Sequence, residues 1–108
     1  MSLYMVQFAY TAEGWTAFTK HPEDRTAAVK SLADKSGCKF EAIYYSFGEY
    51  DGHVIVEAPD EATVTTFVLA AISPGHIRAT RTTLLMRPAQ VVQAMKKAGG
   101  INFAGPKK

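Results

Sequence analysis

The segment Phe47-Gly48-Glu49-Tyr50-Asp51-Gly52-His53 gathers two carboxylates, a phenol and an imidazole into one short connection. Imidazole changes charge near neutral pH, which makes His53 the natural proton carrier of the group. Asp51 stands two positions earlier, on the same side of the chain if a strand has already begun. A carboxylate so placed orients an imidazole or raises its basicity. Tyr50 supplies a hydroxyl beside them, so His53, Tyr50 and Asp51 are the candidate catalytic set. The same residues have a plainer use. Gly48 and Gly52 would lend backbone freedom to a turn, Asp51 would accept hydrogen bonds from nearby amides, and Tyr50 would cover a sheet edge with its hydroxyl satisfied.

Tyr10, Trp15 and Phe18 form a second group, suited to packing between a sheet and its helices. Together with Tyr44 they also suit the wall of a pocket, since binding sites are mostly apolar with a few polar groups. Tyr10, Trp15, Phe18 and Tyr44 are therefore the candidate ligand-binding residues, for a small apolar or aromatic molecule. His21, His53 and His76 follow no recognised ligand spacing, and no metal is expected. Gly14 and Gly48 do not belong to a phosphate-cradling loop and no Gly-x-Ser-x-Gly occurs, so no cofactor is expected either. Cys38 is the single cysteine, which rules out an internal disulfide and fits a cytoplasmic location. It reads as a small residue at the start of a strand; a reactive thiol would need a basic, exposed setting.

The elements that must position these groups are legible from periodicity. Tyr4, Val6, Phe8 and Tyr10 recur every second residue, which predicts a strand from about Leu3 to Tyr10. Thr11 is a suitable cap, with Glu13 favourable in the first turn of a short helix bearing Trp15 and Phe18. His21-Pro22 interrupts it, because proline disfavours helical geometry in the residue before it. A second helix is expected to resume at Pro22 or Glu23, to bury Ala28, Val29, Leu32 and Ala33, and to end at Gly37. The stretch from Lys39 to Phe47 alternates as a strand, with Phe40, Ala42, Tyr44 and Ser46 on one face and Glu41, Ile43, Tyr45 and Phe47 on the other. The run from His53 to Ala58 predicts a third strand. Asp60 caps a helix whose Val64, Phe67, Val68, Ala71 and Ile72 make the cleanest helical stripe in the chain. Ile77 to Met86 reads as a fourth strand. A last helix starts at Arg87-Pro88, with Val91, Met95 and Ala98 able to face inward, and stops at Gly99-Gly100.

The order β-α-β-β-α-β plus a terminal helix predicts an α+β, ferredoxin-like fold with an antiparallel sheet covered by helices on one face. Right-handed crossovers place the first and third strands at its centre. Residues 1–98 are read as one domain and residues 99–108 as a flexible tail.

At 108 residues, 47% apolar and 20% charged, the composition is that of one ordinary folded domain. A net charge of +2, with no long basic run, speaks against nucleic acid, although Tyr44, Tyr45 and Phe47 have the character of base-stacking residues. No apolar run approaches the ~20 residues that span a bilayer. The opening Met1-Ser2-Leu3-Tyr4-Met5 lacks the blocks of a signal peptide, so no membrane association is expected.

Large apolar residues fall on both faces of the expected sheet, mixed with Gln7, Glu41, Glu57, Arg78 and Arg81. A sheet face that meets water should be polar, and an exposed cluster of large side chains commonly marks an interface. Two protomers are therefore expected to pack sheet against sheet as a homodimer or higher homo-oligomer with a barrel-like interior.

The turn Gly48-Glu49-Tyr50-Asp51 also carries a family likeness. With Tyr10-Thr11-Ala12-Glu13-Gly14-Trp15, Val54-Ile55-Val56-Glu57, Pro59-Asp60 and Arg81-Thr82-Thr83-Leu84-Leu85, it resembles the GYD-domain family of small bacterial proteins, over roughly residues 3–98. The resemblance implies a fold of the dimeric α/β-barrel superfamily, whose members include small monooxygenases, isomerases, haem-degrading proteins and amino-acid-sensing domains. One activity does not follow from one fold. The expectation is a small-molecule-binding homo-oligomer. The alternatives are a cofactor-independent monooxygenase or isomerase using His53 with Tyr50 and Asp51, or a module that only associates through its sheet and terminal helix.

Overall fold

The period-two aromatics at the start of the chain form β1 (Ser2–Tyr10), whose Tyr4, Val6, Phe8 and Tyr10 are buried. The computed structural model describes residues 1–106, and from β1 the chain runs through α1 (Ala12–Lys20), α2 (Thr26–Ser36), β2 (Lys39–Tyr45), β3 (Gly52–Ala58), α3 (Glu61–Ile72), β4 (Ile77–Leu85) and α4 (Pro88–Gly99). Residues 101–106 of the expected tail have no regular structure, and Lys107 and Lys108 lie outside the described residues. The strands pair antiparallel in the order β2-β3-β1-β4, with the first and third strands central as the crossover argument requires. This is the expected α+β, ferredoxin-like arrangement.

The core lies between one sheet face and α1, α2 and α3. Tyr4, Val6 and Phe8 of β1 share that face with Val56, Val54 and Gly52 opposite them in β3, and Val64, Phe67 and Val68 close it from α3. Thr11 caps α1 by accepting from the Gly14 N–H at 3.0 Å. Asp60 caps α3 by accepting from the Thr63 N–H (2.8 Å) and hydroxyl (2.7 Å), bonds that hold its carboxyl below the usual range. Gly37 ends α2 at φ 90°, a left-handed position suited to glycine.

Four expectations need correction. The second helix starts at Thr26, because residues 22–25 form an irregular bridge; Val29, Leu32 and Ala33 pack inward while Ala28 is exposed. The second strand ends at Tyr45, before Phe47. A register shift between Phe40 and Ala42 breaks the alternation of β2. Phe40, Ile43 and Tyr45 therefore share the helix side, opposite Val56, Val54 and Gly52, while Ala42 and Tyr44 turn to the uncovered side. The last correction concerns α4, which buries none of its residues: Val91 is only half-buried and Met95 is 63% exposed. At its root Arg87 pairs with Glu57 of β3 at 2.5 Å, but the helix itself stands clear of the sheet.

Candidate functional site

Gly14 is the reason α1 lies close to the sheet. A methyl group at this buried glycine would come within 3.2 Å of the His76 carbonyl, at the start of β4. The Thr11 N–H donates to that same carbonyl at 2.8 Å. This close approach sets Trp15 against the end of β1, where its ring meets Tyr10 edge-on at 5.1 Å. The phenol of Tyr10 also packs edge-on against Phe18 at 5.0 Å and Phe8 at 5.3 Å.

Asp51 locks this corner. Its Oδ2 accepts from the Tyr10 N–H at 2.8 Å and from the Trp15 Nε1–H at 3.1 Å. Its own N–H donates to the Phe8 carbonyl, and its carbonyl accepts from Ser46. One residue thus ties β1, α1 and the β2–β3 turn together. His53 lies elsewhere. The Ser46 hydroxyl donates to the Tyr50 carbonyl at 2.8 Å, so the contact of 2.8 Å between Ser46 Oγ and His53 Nε2 has the imidazole as donor. Tyr50 is half-buried. Of the candidate catalytic set, then, Asp51 faces the indole of Trp15, while His53 is pinned to the turn from the uncovered sheet face. The two are not bonded to each other.

Neither Gly48 nor Gly52 has a left-handed backbone. The residue with positive φ in this turn is Phe47, at 57°. Gly52 is needed for space, because a methyl group there would overlap the Phe8 ring, whereas one on Gly48 would meet nothing. Few bulky residues adopt a left-handed φ. Here it turns the 72%-exposed Phe47 ring toward Trp15, with centroids 5.3 Å apart and planes 33° apart.

These residues wall a cleft of about 520 Å³, within the range of small-ligand sites. Tyr10, Trp15 and Phe18 line it from one side, Ile43, Tyr45 and Phe47 from another, and the bridge at residues 22–25 with Thr26 of α2 forms its mouth. The Arg25 guanidinium lies over the Phe18 ring at 5.6 Å and pairs with Glu23 at 2.6 Å. The hydroxyls of Tyr10 and Tyr45 stand 3.5 Å apart. Burial, and then the Tyr45 hydroxyl, push the Tyr10 phenol well above its usual range, so it remains protonated.

Three of the four candidate ligand-binding residues line this cleft. Tyr44, 67% exposed, is on the other side of the sheet, carried there by the β2 register shift. Arg25, Ile43, Tyr45 and Phe47 were not anticipated as cleft residues. The alternation of Ile43 with Tyr45 was a signal for two of them, whereas nothing local marks Arg25. Among the described residues no cluster of three or more His, Cys, Asp or Glu is arranged to hold a metal, and no helix is long and apolar enough to cross a membrane.

Comparison with known proteins bears on the frame of this site. A family model described as the GYD domain matches residues 4–95. No curated protein matches the chain. Among solved structures, TTHA0845 from Thermus thermophilus superposes with a TM-score of 0.52 at 18% identity, covering 81% of this chain and 95% of that one. The C-terminal domain of the MgtC protein from Mycobacterium tuberculosis gives 0.53 at 9% identity, covering 79% and 88%. FFRP-DM1 gives 0.50 at 19%, covering 80% and 100%. At such identities the likeness speaks for the fold alone.

Proposed function

From the premise that this chain belongs to the GYD-domain family, we propose that it is a homo-oligomeric protein that binds a small apolar or aromatic molecule in the cleft between α1 and β2. The observation that carries this reading is the cleft itself. Its volume of about 520 Å³ is walled by Tyr10, Trp15, Phe18, Tyr45 and Phe47, with the charged side chains of Glu23, Asp24 and Arg25 along one border. A left-handed Phe47 supports it further, since backbone strain of this kind persists where surrounding structure holds a side chain for use. Oligomerisation is supported by the uncovered sheet face, which carries Leu3, Met5, Ile55 and Leu85 in adjacent register.

Trp15 is the single tryptophan and lies in the cleft wall, so its fluorescence reports directly on occupancy. Titration with small uncharged aromatics is expected to quench or shift its emission with saturation. Trp15→Phe should abolish the signal while calorimetry still records binding. An unsaturable response across the panel, identical to that of free indole, removes the reading.

A further inference from the structure

We propose that the cleft selects a neutral, flat aromatic molecule through a carbonyl oxygen gripped jointly by the hydroxyls of Tyr10 and Tyr45, an inference that rests on the cleft being a ligand site. At 3.5 Å the two hydroxyls are well beyond the usual O–H···O separation of about 2.7–2.8 Å. Their mutual bond is therefore weak, and at most one of the two protons serves it. Both hydroxyls can turn instead to an acceptor set between them, since little is lost by breaking so long a contact. Burial keeps the Tyr10 phenol protonated, so it acts as a donor across the ordinary pH range.

Charge decides what kind of acceptor fits. Arg25, the cation at this mouth, is matched by Glu23 at 2.6 Å, and Asp24 adds a further carboxylate beside them. Asp51 lies behind the aromatic wall, bonded to Trp15. An anionic ligand would meet more negative than positive side chains at this mouth, where the guanidinium already has a carboxylate partner in Glu23. A neutral carbonyl accepts two phenolic hydrogens and disturbs neither ion. The flatness of the ligand follows from the wall. Trp15 and Tyr45 are tilted 57° from one another, and the exposed Phe47 ring lies between them in orientation, 33° from the first and 24° from the second, so it is the Phe47 face that a flat ring can stack on.

Three probes of nearly equal shape separate the possibilities: 2-acetylnaphthalene, 2-ethylnaphthalene and 2-naphthoate. Each is titrated into the full chain while the indole N–H resonance of Trp15 is followed by NMR. The ketone should bind about tenfold more tightly than the hydrocarbon, a ratio set by two hydrogen bonds of ordinary net strength. It should also bind more tightly than the carboxylate. Tyr45→Phe should narrow the ketone-to-hydrocarbon ratio about threefold, and Tyr10→Phe with Tyr45→Phe should bring it to unity. Should the double variant not fold, the half-exposed Tyr45 carries the comparison alone. Equal binding of ketone and hydrocarbon by the native protein, a preference for naphthoate, or a ratio that survives both substitutions overturns the carbonyl grip while the cleft stands as a binding site. If no probe shifts the indole resonance, the cleft reading falls, and the grip with it.

Discussion

Asp51 shows how one side chain can look catalytic in sequence and act as a latch in three dimensions. Its Oδ2 is shared by the Tyr10 amide and the Trp15 indole, two donors that are partly withdrawn from water. A donor left without an acceptor costs its full desolvation, and bonds to a charged group are the stronger kind. Asp51→Ala is therefore expected to lower unfolding stability by about 2–3 kcal/mol and to shift Trp15 emission to the red. Asp51→Asn, which keeps an acceptor oxygen, should lose about half as much. His53→Ala removes a bond to the exposed Ser46 hydroxyl and should cost less than about 1 kcal/mol. Urea denaturation of the three variants checks the order. Equal midpoints for Asp51→Ala and the native chain would mean that the carboxylate is no latch.

At the scale of elements, the β2–β3 connection is held by geometry that its two glycines only half explain. Gly52 faces the ring of buried Phe8 and has no room for a side chain, while Gly48 borders open space and has no left-handed φ. Gly52→Ala should accordingly destabilise by about 1–3 kcal/mol, the cost of overpacking a core, whereas Gly48→Ala should leave the thermal midpoint nearly unchanged. Thermal unfolding of the pair decides the matter, and a large loss for Gly48→Ala would contradict the geometry. The sequence made the elements themselves readable wherever period and cap agreed: the aromatics of β1, the Asp60 cap with the stripe of Val64, Phe67 and Val68, and the Gly37 stop. It did not reveal the β2 register shift, because one extra residue leaves local alternation intact while reversing every side chain beyond it. That shift moved Tyr44 out of the cleft and Tyr45 into it. Nor was the bond from Trp15 to Asp51 legible, since it joins residues far apart in the chain by a contact that no local pattern encodes.

At the scale of the whole molecule, two surfaces lack partners among the described residues. The face of the sheet opposite the first three helices presents Leu3, Met5, Ile55 and Leu85, all partly accessible, in register across the central strands and β4. Beyond β4 the chain extends into α4, so that the molecule measures 61 Å in one direction and 20 Å in another. A helix of 12 residues is marginal in water unless an apolar face is packed, and α4 exposes Val92 and Met95. Both surfaces are explained together if a second copy covers them, and the area needed is ordinary, about 1,200–2,000 Å² in total for a stable pair. Met5 and Ile55 are direct cross-strand partners near the middle of the bare face, yet they do not belong to the buried core. Met5→Glu with Ile55→Glu places like charges side by side where two sheets would meet, and burying unpaired charge is prohibitive. Sedimentation at micromolar concentration should give a dimer or larger species for the native chain and a monomer for the double variant. Retained near-ultraviolet dichroism of Trp15 would show the fold intact. A native chain that sediments as a monomer leaves both surfaces unexplained and removes the homo-oligomer, though not the cleft, which is walled by residues of one chain.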